Sequence, residues 1–214
     1  MLVLGIDPGS VITGYGVVEC RGRGSRMVAG GALRPDTGLP FAGRLLEIHD
    51  GLLKLIEEYS PDEVAVENAF YRANVKTLMK MCEARGAIMV ALARSDLPVF
   101  EYAPREVKQA VVGRGGASKE QVQFMIRNLF GQKRVTGPYD ITDALAVAVC
   151  HVNRLQAPGG DAVRAGFRGG KRAVRLPDGS GGPTRAGRMD RLKEKLEELG
   201  VESVRTTGAK RRGR

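Results

Sequence analysis

Apolar and polar positions keep one of two periods over the first 156 residues, and the period switches from element to element. LVLGI (2–6) is a short apolar run that reads as a buried strand. TGYGVVEC (13–20) and MVAGGAL (27–33) follow at hairpin spacing, with RGRGS as the turn, so the chain opens as three antiparallel strands. From Phe41 to Tyr59 the positions Leu45, Leu46, Ile48, Leu52, Leu53 and Ile56 recur at helical spacing. EVAVE (63–67) is a further strand, 73–94 a long helix weakened at Gly86, and LPVFEY (97–102) a third core strand. Helices near 104–112 and 118–130 flank the loop GRGGAS, with Ser118 and Gln121 spaced as a capping box. A last helix covers about 140–155. The order βββ-α-β-α-β-α-α-α implies an α/β domain over 1–156. Its sheet is mixed and five-stranded, antiparallel at one side and parallel at the other, with helices on both faces.

Beyond residue 157 the pattern stops. Residues 157–214 are rich in Gly, Pro and Arg with no sustained period, and read as a disordered basic linker and tail. RMDRLKEKLEELG (188–200) could form a short charged helix, too short to be stable alone. The net charge of +10 and pI of about 9.8 point to a polyanionic partner, nucleic acid first and an acidic membrane surface second. The charge is unevenly placed. Residues 1–156 hold 19 basic and 17 acidic side chains, a net of +2, whereas 157–214 hold 15 and 7, a net of +8. Cys20, Cys82 and Cys150 are odd in number and form no CxxC pair, so neither a zinc site nor a disulfide framework is expected. No stretch is long and apolar enough to span a bilayer, and the N-terminus lacks a signal peptide's basic region and cleavage site. A cytoplasmic location is expected.

The candidate chemistry lies in carboxylates at element ends. The first strand runs into Asp7 and then Pro-Gly, and EVAVE ends on Glu67. If the two strands are adjacent and parallel, both carboxylates emerge at their C-terminal ends, where open α/β sheets build sites. In DITDALAVAVCH, Asp140 and Asp143 share a helix face, and ALAVAVC would bury that helix against the sheet. Each acid alone has an ordinary reading: Asp7 as a turn residue, Glu67 as a solvated strand end, Asp140 as a helix cap. Together they suggest an all-oxygen site for Mg²⁺ or Mn²⁺. Two such ions about 4 Å apart can activate water and stabilise the leaving oxygen of a phosphodiester. His151 shares the last helix, but eleven residues from Asp140 is roughly 16 Å along it, so it reads as a packed or capping histidine. His49 reads as exposed.

GIDPGSVITGYGVV, VENAFYRANVKTL, CEARG, PVFEYAPREVKQAVVGRG and DITDALAVAVCH resemble successive blocks of the RuvC family, bacterial Holliday junction resolvases with an RNase H-like fold. The resemblance runs from about residue 2 to 153. It implies that Asp7, Glu67, Asp140 and Asp143 are the catalytic metal ligands, with two divalent ions per site. It implies a homodimer that places paired nicks in strands of like polarity at a four-way junction, in recombination and repair. The products would carry 5′-phosphate and 3′-hydroxyl ends, and a RuvAB-type branch-migration complex would be a partner. Phe70 would stack on a junction base, helped by Tyr71 and Arg72. Lys108 and Lys119 would contact phosphates, with Arg85 and Arg114 as further candidates. Two positions depart from or vary within the pattern: Asn68 stands where the family commonly has Gln, and Asp140 where members vary between Asp and His.

Two other readings remain open from sequence. An actin-like ATPase also begins with a strand, Asp-x-Gly and a hairpin, but needs a second lobe and phosphate loop for which this chain is too short. A non-catalytic junction-binding protein would need no intact acidic set. The surplus apolar residues of 73–94, among them Met79, Met81 and Val90, could form a dimer seam.

Overall fold

The structure is a computed structural model that describes residues 1–22, 24–68, 74–131, 135 and 139–158. Phe70, Tyr71, Arg72, the 188–200 helix and all but the first two residues of the 157–214 tail lie outside the described residues. In chain order the elements are β1 (Leu2–Asp7), β2 (Thr13–Arg21), β3 (Gly24–Leu33), α1 (Phe41–Tyr59), β4 (Glu63–Glu67), α2 (Val75–Arg94), β5 (Val99–Tyr102), α3 (Pro104–Val112), α4 (Lys119–Phe130) and α5 (Tyr139–Gln156). The expected order therefore holds. The five strands form one sheet, β3-β2-β1-β4-β5. β1, β2 and β3 pair antiparallel, while β4 lies parallel to both β1 and β5.

The boundaries differ from the pattern where side chains or prolines intervene. Asn74 is extended and accepts a hydrogen bond from the Thr77 N–H, so α2 starts at Val75 rather than 73. Gly86 does not interrupt it. β5 begins only at Val99, after Pro98, whose ring carries no N–H for the ladder. The first hairpin is tighter than RGRGS suggests, because β2 and β3 extend to Arg21 and Gly24, and Gly22 takes a left-handed φ of +55° in the turn. Ser118 caps α4 with Gln121 reaching back to its N–H, as the spacing predicts.

Strand alternation sorts β1 into two faces. Val3 joins Val18, Ala65 and Tyr102 in a core closed by Leu145–Cys150 of α5, Val107 of α3, and Val122 and Ile126 of α4. Leu4 and Ile6 point the other way, and they are fully buried with Val17, Val64 and Val66. That side carries the buried stripes of α1 (Ile48, Leu52, Leu55) and α2 (Ala84, Ile88, Ala91, Leu92).

α5 packs directly over glycines of the sheet. A Cβ at Gly5 would sit 2.2 Å from the Ala144 carbonyl oxygen, and one at Gly14 2.0 Å from that of Asp140. No side chain fits there, so these strand glycines set how closely α5 approaches the sheet. Farther along the same helix, His151 is fully buried and bonds to residues of two strands, β5 and β4. Its Nδ1 is 2.6 Å from the Tyr102 hydroxyl and its Nε2 2.8 Å from Glu63. A buried polar group needs such partners. His151 is thus a packed histidine remote from the acidic pair. His49 is half-buried rather than exposed, with its Nδ1 2.8 Å from Asp50 beside it.

Candidate metal centre

β1 and β4 are adjacent and parallel, the condition under which Asp7 and Glu67 share a sheet edge. The β1–β4 ladder runs to Ile6 opposite Val66, so the next residues, Asp7 and Glu67, end the two strands side by side. Their side chains point to the α5 face and are hydrogen-bonded to each other. Asp7 also stands opposite Gly14 in the β1–β2 register. Gly14 admits the first turn of α5, which carries Asp140 and Asp143. α5 begins at Tyr139, so Asp140 lies inside the first turn instead of capping it. Asp143 accepts a hydrogen bond from Lys119 Nζ at 2.8 Å. Asp7, Glu67, Asp140 and Lys119 line one cavity of about 360 Å³, floored by Pro8, Gly9 and Asn68.

Burial raises the pKa of the Asp7 carboxyl well above its ordinary value, followed by the charges of Glu67 and Asp143 and the hydrogen bond with Glu67; Lys119 opposes them. A carboxyl whose folded pKa is raised contributes no penalty at low pH, where both states are protonated. As pH climbs from the ordinary value toward the raised one, the folded state progressively loses stability. Among the described residues, no three His, Cys, Asp or Glu side chains are drawn together closely enough to form a metal shell. The donor set is all oxygen, and an added divalent cation would relieve the repulsion that raises Asp7, so the residues fit a hard metal ion.

Arg44 of α1 donates to the Ser10 carbonyl, and the Thr13 hydroxyl donates to the Gly9 carbonyl at 2.7 Å. Together they brace the turn that follows Asp7. The Thr13 spacing was a readable turn signal; nothing in the sequence marks Arg44. Of the expected DNA contacts, Lys119 is exposed at the cavity and Arg114 is exposed on the α3–α4 loop. Lys108 is half-buried on α3. The hydrogen bond with Ser118 holds Glu120 below its usual range, with Lys119 and Lys108 adding to the effect. Arg85 is turned to protein partners, Asn68 and Glu101.

A sequence profile for the family described as crossover junction endodeoxyribonuclease RuvC matches residues 3–151. The chain belongs to the RuvC family. The crossover junction endodeoxyribonuclease RuvC of Pelobacter propionicus is 54% identical over 153 residues, covering 72% of this chain and 86% of the relative. The RuvC of Desulforamulus reducens is 44% identical over 160 residues, covering 75% and 98%. Among solved structures, T. thermophilus RuvC in complex with Holliday junction substrate matches with a TM-score of 0.68 and 36% identity, over 73% of this chain and 95% of that one. The yeast mitochondrial Holliday junction resolvase Ydc2 matches with a TM-score of 0.54 over 78% and 83%, and at 17% identity it shares the fold. The RNase H-like fold class read from the sequence stands, and RuvC membership sets aside the actin-like ATPase. No helix among the described residues is long and apolar enough to cross a membrane.

Proposed function

We propose that this chain resolves four-way (Holliday) DNA junctions in homologous recombination and repair, by paired, symmetric, metal-dependent nicks that leave 5′-phosphate and 3′-hydroxyl ends. The observation that carries the reading is that Asp7, Glu67 and Asp140, from three elements, line one cavity, with Asp143 near enough for its charge to act on Asp7, within a RuvC-family domain. Enzymes of this family are metal-dependent. Asp7, Glu67, Asp140 and Asp143 would hold Mg²⁺ or Mn²⁺, two ions per site. Bound there, the ions supply a water of lowered pKa and stabilise the leaving oxygen.

The chain's own residues do the rest. The β1 and β4 ladders fix Asp7 and Glu67, which limits the reorganisation needed at the moment of reaction. Pro8 and Gly9 turn the backbone aside, leaving the 360 Å³ cavity open to a phosphodiester. Lys119, at the cavity and in contact with Asp143, would neutralise phosphate charge. Lys108 and Arg114 are proposed backbone contacts, and Phe70, with Tyr71 and Arg72, the base-stacking group.

A junction has near two-fold symmetry, and matched cuts need two sites, so the working unit is a homodimer. The outward side of α2 supports a seam there. Val75, Met79, Cys82, Gly86 and Val90 are exposed at steps of three or four residues, one stripe along the helix. The 157–214 tail, net +8, would add salt-sensitive and sequence-independent DNA affinity. A cytoplasmic location and a RuvAB-type partner complete the reading.

The test compares a synthetic four-way junction with a linear duplex in Mg²⁺, Mn²⁺ or EDTA. Symmetric nicks in the junction alone, absent in EDTA, are expected. Cutting of both substrates would remove the junction specificity. Tight junction binding without cutting would favour a non-catalytic binding protein.

A further inference from the structure

The position after Glu67 departs from the resemblance, and the structure gives it a partner. Asn68 is the last described residue before the segment 69–73. Its N–H donates to the Tyr102 carbonyl at 2.8 Å, extending the β4–β5 pairing one step past the strand. Its side-chain oxygen accepts from Arg85 at 3.1 Å. The same guanidinium nitrogen donates to Glu101 on β5. By strand alternation Asn68 and Glu101 point away from α5, toward α2, while Glu67 and Tyr102 point toward α5. Arg85 therefore grips the back of the strand end whose front carries Glu67.

The same geometry is unfavourable for a phosphate contact. The Arg85 side chain is 23% exposed and already paired with a carboxylate. Its Nε is buried. A phosphate would have to compete with Glu101 and detach Asn68. We infer that Arg85 is a positioning residue: with Glu101 as counter-charge, it acts through Asn68 to hold the end of β4, so that the Glu67 carboxylate keeps its place beside Asp7. This rests on the proposed assignment of Glu67 as a metal ligand. It also gives Asn68 a role: its amide oxygen is the acceptor that joins α2 to the strand end.

Three variants test it beside the wild-type full-length chain: Arg85→Met, Asn68→Ala and their combination. Arg85→Met keeps the apolar stem and removes the fork. Arg85→Met/Glu101→Gln serves as the charge-balanced control. Junction binding is measured in EDTA across a salt series, cleavage kcat and KM in Mg²⁺, and Mg²⁺ affinity by calorimetry without DNA. Loss of a group that orients a metal ligand costs about 10–100-fold in metal affinity or activity. The expected result is a kcat and a Mg²⁺ affinity lowered by about that factor, with KM and the salt slope of binding unchanged in the charge-balanced control. The Arg85→Met/Asn68→Ala double variant should be no worse than either single change, because both break one connection.

A phosphate contact would behave otherwise. The charge-balanced control would lose junction affinity, its salt slope would fall by about 1, and the Arg85 and Asn68 effects would add. That outcome, or unchanged kcat and Mg²⁺ affinity in Arg85→Met, overturns the inference while wild-type cleavage persists. If the wild-type protein itself bound junctions but never nicked them, the nuclease reading would fall first, and this inference with it.

Discussion

Asp7→Asn is expected to lower junction cleavage by roughly 10³-fold, the upper end of what one preorganised electrostatic group contributes, while junction affinity is retained. Asp7 is the point where three elements meet. It ends the central strand, hydrogen-bonds Glu67 and feels the charge of Asp143. The amide keeps the shape and the hydrogen-bonding ability but removes the negative charge that a cation requires. Binding rests chiefly on phosphate contacts from basic residues, and the substitution makes the pocket less negative. Gel-shift affinity in EDTA and single-turnover cleavage in Mg²⁺ check the two halves separately. Normal cutting by the variant would remove Asp7 from the metal site.

Gly14→Ala should have the next largest effect, although Gly14 carries no chemistry. Its added Cβ would lie 2.0 Å from the Asp140 carbonyl oxygen and 2.6 Å from its carbonyl carbon. Both are helix backbone, so neither can swing aside. The first turn of α5 must shift, and Asp140 and Asp143 must shift with it. Overpacking of this kind costs about 1–3 kcal/mol, and a displacement of about 1 Å in a reacting site costs on the order of 10²-fold in rate. A thermal melt and single-turnover cleavage together measure this. A variant with wild-type rate would mean that the α5 acids do not need their close approach to β1.

Much of this was legible in the sequence, for definite reasons. The mixed sheet could be read because the hairpin turn and the apolar runs separate cleanly. Asp7 and Glu67 could be read because each ends an apolar strand, and Asp140 and Asp143 because a three-residue step puts them on one helix face. Helix and strand ends were less readable. Asn74 and Pro98 trim α2 and β5 by local hydrogen bonding and ring chemistry that periodicity does not register. The glycine contacts with α5 were hidden because Gly5 and Gly14 look like weak points in strands until the helix is laid over them. Arg85 was the instructive case. As a basic residue in a RuvC-like block it read as one of the weaker phosphate candidates; its partners Asn68 and Glu101 are 17 and 16 residues away and come together only in the fold.

In the proposed site Asp7, Glu67, Asp140 and Asp143 jointly hold the divalent ions. Calorimetric titration of Mg²⁺ and Mn²⁺ into the wild-type protein, and into Asp7→Asn, Glu67→Gln, Asp140→Asn and Asp143→Asn, tests it most directly. Two ions per site are expected in the wild type, and a lost or much weakened ion in every variant, with melting temperatures confirming that each is folded. A folded amide variant that binds both ions as the wild type does would contradict the four-carboxylate site.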